Sequence, residues 1–90
     1  MKLEINEKGL AVRLSLKNFF YILSVEYKRH NEQISLPIEK TKGEITWELF
    51  NLLDDLVREY DEALFSALKA RKCFTGMLNK IDYETERRAI

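Results

Sequence analysis

The feature that most restricts this chain is the stretch from residue 44 to about residue 73, which contains no proline or glycine and repeats its apolar residues at helical spacing. At roughly 100° per residue, Ile45, Leu49, Phe50, Leu52, Leu53, Leu56, Val57, Tyr60, Ala63, Leu64, Ala67 and Leu68 fall within an arc of about 160°. Glu44, Glu48, Asn51, Asp54, Asp55, Arg58, Glu59, Glu62, Ser66 and Lys69 take the other side. So wide a stripe suits a helix lying on a sheet better than a two-helix seam. Thr41 and Glu44 have the spacing of a capping box, in which the hydroxyl accepts from the third helical amide and the carboxylate reaches back. The pattern predicts one long amphipathic helix over about 42–73. Thr75-Gly76 is its expected stop, and a short C-terminal helical segment within 77–88 would use Met77, Leu78 and Ile81.

A sheet for that helix is legible upstream. Leu10, Val12, Leu14 and Leu16 alternate with Ala11, Arg13, Ser15 and Lys17, the period of a half-buried strand. Leu3 and Ile5 suggest a short strand before it, joined by Asn6-Glu7-Lys8-Gly9 as a hairpin connection in which Gly9 can take positive φ. Ile34, Leu36 and Ile38 alternate again, and Pro37, which lacks an N–H, places that strand at a sheet edge. Residues 16–27 fit two patterns. As a strand, Phe19, Tyr21, Leu23, Val25 and Tyr27 share a face; as a helix, Leu16, Phe19, Phe20, Leu23 and Tyr27 share a stripe. Aromatic and β-branched residues favour the strand. Arg29-His30-Asn31-Glu32 would then be the following loop. The expected fold is α+β in a single domain, 1–90: a small antiparallel sheet of three to four strands over about 3–38, packed by the long helix. A mostly helical domain with a small hairpin is the alternative.

Length sets the helix against the domain. About 30 residues at 1.5 Å rise span roughly 45 Å, whereas the radius of gyration expected for 90 residues is near 12 Å, a body about 30 Å across. Either the helix breaks, or its far end projects and a partner covers Leu64, Ala67, Leu68 and Phe74.

Composition narrows the function classes. Fifteen basic residues balance fifteen acidic ones, which argues against a nonspecific nucleic-acid coat and against an acidic nucleic-acid mimic. One cysteine, Cys73, rules out an internal disulfide. The N-terminus alternates like a strand instead of forming a signal peptide's apolar stretch. The most apolar run, 19–25, is far short of the roughly 20 residues a spanning helix needs. The expectation is a cytoplasmic protein with no membrane partner, and its Lys-, Ile- and Glu-rich style suits a bacterial, phage or mobile-element gene.

Signals for chemistry are weak. The one histidine, His30, lies in a polar segment, and Cys73 ends an amphipathic helix beside Arg71 and Lys72. No phosphate-binding glycine loop, nucleophile elbow or zinc-ligand spacing occurs, so no catalytic residue, cofactor or metal is expected. Asp54-Asp55 and Asp61-Glu62 read as solvated surface.

Charge and aromatic placement say more. Residues 1–43 carry net +3, residues 44–65 net −6 and residues 66–90 net +3. Within the long helix this order matches the macrodipole; it also suits antiparallel self-association, acidic half against basic end. Trp47 and Phe65 break the stripe by standing among the acids, and such aromatics are over-represented as interface anchors. Trp47, Phe65, Glu48, Asp55 and Glu62 are therefore the protein-binding candidates, and Leu64, Ala67, Leu68 and Phe74 the dimer candidates. The expected function is a non-enzymatic interaction module (an inhibitor, adaptor or accessory subunit), probing a larger protein with a basic patch and itself a homodimer. A DNA-binding regulator using Lys69, Arg71, Lys72, Lys80, Arg87 and Arg88 is the alternative, and a small enzyme with its site at a dimer interface the second.

Overall fold

The computed structural model describes residues 2–81. Its first half is an antiparallel meander of four strands: β1 (Lys2–Glu7), β2 (Leu10–Lys17), β3 (Phe20–Tyr27) and β4 (His30–Pro37), in spatial order β1-β2-β3-β4. Tight turns join them, and each turn opens with a residue at positive φ: Lys8 at 49°, Asn18 at 57° and Lys28 at 51°. Gly9 at 90° completes the first turn, in the left-handed region where a side chain would strain the backbone. Such turns match the right-handed twist of paired strands. Residues 20–27 are strand, as their aromatic and β-branched content favours, and Pro37 lies on an edge strand. Register places Ile5 beside Val12, Leu14 beside Leu23 and Tyr27 beside His30.

The loop expected at 29–32 is shorter than that. His30, Asn31 and Glu32 belong to β4, and only Lys28 and Arg29 make the turn. Pairing with Tyr27 puts His30 on the sheet face that is buried.

The expected single helix over 42–73 is two. Helix α1 (Lys42–Glu59) ends at Tyr60, whose backbone (φ −131°, ψ 88°) leaves helical geometry, and a 3-10 turn, Asp61–Ala63, leads into α2 (Leu64–Asn79). The sheet explains the break. A strand of eight residues is about 27 Å long at 3.4 Å per residue, which is also the length of an 18-residue helix, so a longer rod would overrun its support. Four strands at about 4.8 Å spacing are wider than one helix of roughly 10 Å, so one rod would leave half the sheet bare. Folding back solves both problems: α1 packs on β3 and β4, and α2 on β1 and β2. Lys42 Nζ at the start of α1 donates to the carbonyl of Ile81 just past α2, at 2.8 Å, so the helices run antiparallel.

The N-terminal cap is as the spacing predicts. Thr41 Oγ1 accepts from the Glu44 amide at 3.2 Å, and Glu44 Oε1 accepts from the Thr41 amide at 3.2 Å. Thr75-Gly76 does not stop α2; both lie inside it, and Thr75 Oγ1 donates back to the Arg71 carbonyl at 2.9 Å. Met77, Leu78 and Asn79 accordingly belong to α2, Ile81 lies just past its end, partly buried against the core, and 82–88 lie outside the described residues.

One core results, between the helices and one face of the sheet. Leu10, Val12, Leu14, Tyr21, Leu23 and Val25 meet Ile45, Leu49, Leu53 and Leu56 of α1 and Ala70, Phe74 and Leu78 of α2. The alanines of α2 let its backbone approach the sheet closely. Among the described residues, no helix is long and apolar enough to cross a membrane.

Candidate protein-binding surface

Folding back decides which apolar residues are used within the chain. Ala67 and Phe74, expected to need a partner, are buried against the sheet; the correction follows from the reversal at Tyr60, which brings α2 down onto β1. Leu64 and Leu68 differ. They lie on the flank of α2 away from the sheet and are 44% and 47% exposed. Trp47 in α1 is 64% exposed and Phe65 in α2 is 79% exposed. Neither folds back on the edge strand or under the described chain, so the core is complete without them.

Trp47 and Leu68 border a shallow furrow that runs between the two helices, and Leu64 and Phe65 stand at the start of α2, outside its lining. Phe50 of α1 and Leu68, Arg71, Lys72 and Thr75 of α2 line its middle. Towards the start of α1 it continues past Thr46 and Trp47, opposite Thr75 and Asn79. The Arg71 guanidinium lies over the Phe50 ring, 3.8 Å from its centre. The spacing i, i+3, i+4 along both helices produces this alignment: Trp47 and Phe50 on α1, and Leu68, Arg71 and Thr75 on α2.

Acids stand along α1. Of these only Asp54 is near Phe50 on the wheel; Asp55 is exposed further round α1, and Glu48, half-buried, lines a separate hollow with Lys40, Thr41, Gly43, Glu44 and Trp47. Asp55 takes a 3.3 Å contact from Arg58 one turn on. Glu62 lies beyond the helix break, where it pairs with Lys28, and that bond from the ammonium holds the Glu62 carboxyl below its usual range. Glu62 is thus turned to the sheet end rather than to the furrow. The basic residues scatter. Lys69 faces Glu7 of β1 at 3.6 Å, Arg71 covers Phe50, and Lys72 and Lys80 are exposed. Arg87 and Arg88 lie outside the described residues. Among the described residues, then, the basic side chains form no continuous track for a phosphate backbone.

A second cluster, absent from the sequence reading, gathers where α1 ends. His30, expected in an exposed loop, is only 8% exposed. Its Nδ1 lies 2.6 Å from Glu59 Oε2, and its Nε2 lies 2.8 Å from Glu32 Oε1, close enough for an ion pair but at an angle too poor for a hydrogen bond. Tyr60 packs edge-on to Tyr27 with ring centres 5.4 Å apart, and Lys28 Nζ lies 5.4 Å from the centre of each ring. Together these contacts tether the end of α1 to the β3–β4 turn. Cys73 is exposed on α2, which covers the opposite half of the sheet from His30, so the two are not brought together. Among the described residues no cluster of three or more metal-ligating side chains occurs.

The open sheet face offers less apolar area. Phe19 and Phe20 are exposed at the β2–β3 turn, but the strands there carry mainly Lys2, Glu4, Arg13, Ser24, Gln33 and Ser35. Arg13 donates to Glu4 across the sheet at 2.7 Å, which lowers the Glu4 carboxyl and raises the guanidinium. That is a solvated surface with one aromatic corner.

No family model matches this chain, and no curated protein or solved structure is significantly similar to it.

Proposed function

We propose that the chain is a non-enzymatic binding module that presents the outer face of its helical hairpin to another protein. The observation that carries this reading is the exposure of Trp47 towards one end of the hairpin and of Leu64, Phe65 and Leu68 towards the other, outside a core that closes without them. Leaving four large apolar side chains in water on one layer has no folding benefit, whereas aromatic side chains in the middle of a docking surface contribute disproportionately to affinity. The acids on the α1 flank favour a partner surface whose rim is basic, and they would speed encounter more than they strengthen the complex. Masking a partner's surface in this way is how an inhibitor, adaptor or accessory subunit works.

Capture from a cell lysate with photo-cross-linking at the furrow tests the reading when variants are run in parallel. The wild type should capture a discrete protein, and Trp47→Ala and Phe65→Ala should lose it while unfolding at the same urea concentration as the wild type. Equal capture by all three would refute the proposal. So would a loss of more than about 2 kcal/mol in unfolding free energy, because that would make these side chains part of the core.

A further inference from the structure

We infer that the occupant of the furrow is a second copy of this chain, placed by a twofold axis that runs along the furrow. This rests on the reading of the helical face as a docking surface, and names the partner. Charge complementarity singles out the arrangement. The helices lie side by side and antiparallel, with the beginning of α1 level with the end of α2. Two such hairpins can stack face to face about two kinds of twofold axis. An axis across the furrow sets α1 against α1 and so opposes like segments, each net −3 over residues 42–59, with two bases and five acids. An axis along the furrow sets α1 of one copy over α2 of the other at the same level. Asp54 of one copy, about one turn along α1 from the level of Phe50 and Arg71, then comes within reach of the long Lys72 side chain of its mate, and the symmetry repeats the contact.

Shape follows the same registration. Phe50 and Arg71 mark one level of the hairpin, since they touch. Trp47 lies about one turn nearer the start of α1, and Thr75 lines the furrow with it. In the second copy Trp47 would therefore project onto the stretch lined by Leu68, Arg71, Lys72 and Thr75, where a shallow hollow is already present. The chain's zero net charge adds no overall repulsion between copies. The ion pairs select the orientation, and apolar burial supplies the affinity.

The full-length chain tests this directly, because Trp47 is the one tryptophan and reports on the furrow by its own fluorescence. Light scattering and tryptophan emission would be followed from about 1 µM to about 500 µM, a range that brackets micromolar dissociation constants. The inference expects a monomer-to-dimer rise in mass, accompanied over the same concentrations by a blue shift of the emission. Lys72→Glu and Asp54→Lys should each raise the dissociation constant at least about tenfold, through like charges set face to face, and the double variant should recover most of that loss. Circular dichroism at high dilution should show all three variants folded. A monomer with red emission at every concentration would overturn the second-copy inference and leave the binding-module reading standing. A monomer whose emission is blue-shifted at every dilution would overturn both, because the furrow would then be filled from within the chain. A dimer indifferent to both charge reversals would overturn the axis proposed here.

Discussion

Two phenylalanines nine residues apart on α2 separate the folded-back hairpin from a projecting rod. Phe74 is wholly buried and belongs to the core; Phe65 is the most exposed large apolar side chain on the helical layer. Removing a buried phenylalanine ring costs about 3–5 kcal/mol, transfer and cavity terms together. A domain of 90 residues has about 5–13 kcal/mol of stability in all, so Phe74→Ala should remove roughly a quarter of it or more. Phe65→Ala exposes nothing new and exchanges an aromatic for a better helix former, so its effect should fall within about 0.5 kcal/mol of zero. Urea unfolding followed by far-ultraviolet circular dichroism gives both numbers. With a slope near 1.5 kcal/mol per molar, typical of small domains, the Phe74 variant should unfold about 2–3 M earlier. Dilution discriminates further. If a second copy rather than the chain's own sheet buried Phe74, its substitution would cost little at low protein concentration, where the wild type is monomeric. A Phe74→Ala loss below about 1 kcal/mol in that dilute limit would refute the reversal at Tyr60 as the reason this ring is buried.

Gly76→Ala should stabilise the protein by about 0.5–1 kcal/mol, raising the thermal midpoint by a few degrees, because glycine costs a helix backbone entropy and a Cβ there would meet no atom within 4 Å. Thr41→Ala should cost about 1 kcal/mol in urea unfolding by removing one half of the capping box. His30→Ala should cost about 1–3 kcal/mol through the lost bond to Glu59, and should raise amide exchange at the end of α1 before it does so in β2. The carboxyls of Glu4, Glu44 and Glu62 are each held below the ordinary value of 4.5, by the Arg13 side chain, the Thr41 backbone amide and the Lys28 side chain respectively. Folded groups so depressed bind protons less readily than unfolded ones, so their contribution is present at neutral pH and fades as pH falls from about 5 towards 3. Urea midpoints across that range should drop less for the triple Glu→Gln variant than for the wild type.

Much of the fold was legible because strand and helix periods are written in single residues. Alternation at 10–17, the proline at 37 and the Thr41–Glu44 spacing gave a strand, an edge and a cap that the structure contains. The break at Tyr60 escaped because the apolar stripe keeps its phase through it: Leu56, Tyr60, Ala63 and Ala67 would share a stripe on one rod and, after the reversal, also face the core from two. Charge carried the missing signal. Arg58 suits the end of one helix, and Asp61-Glu62 the beginning of another, each beside the terminal amides or carbonyls it favours. His30 reads as loop when β4 is begun three residues late; carried back at period two from Leu36 and Ile34, the alternation reaches His30 on the core face. Its tie to Glu59 spans 29 residues and depends on where α1 ends, so no local pattern could supply it. Trp47 and Phe65 were picked out for breaking the stripe, and their exposure follows from that same mismatch.

The segregation of charge along this chain takes on a different meaning once the hairpin is in place. Acidic residues 44–65 and the basic stretch after them were arranged as though one helix end should meet another's beginning, and within the chain they already lie alongside, α1 against α2. Yet the two lines of charge do not neutralise each other there. Between them the furrow is bridged by Arg71 over an aromatic ring, not by a carboxylate. Lys69 turns the other way, to β1, and Asp55 is met by Arg58 of its own helix. Asp54 on α1 and Lys72 on α2 thus stay exposed, one charge of each sign on the two helices. On the second-copy proposal, each of these charges meets the opposite sign when the surface is turned about the furrow onto its own image. Association through it should accordingly slow at high salt more than it loses final affinity, since exposed charges steer the encounter while apolar burial holds the complex.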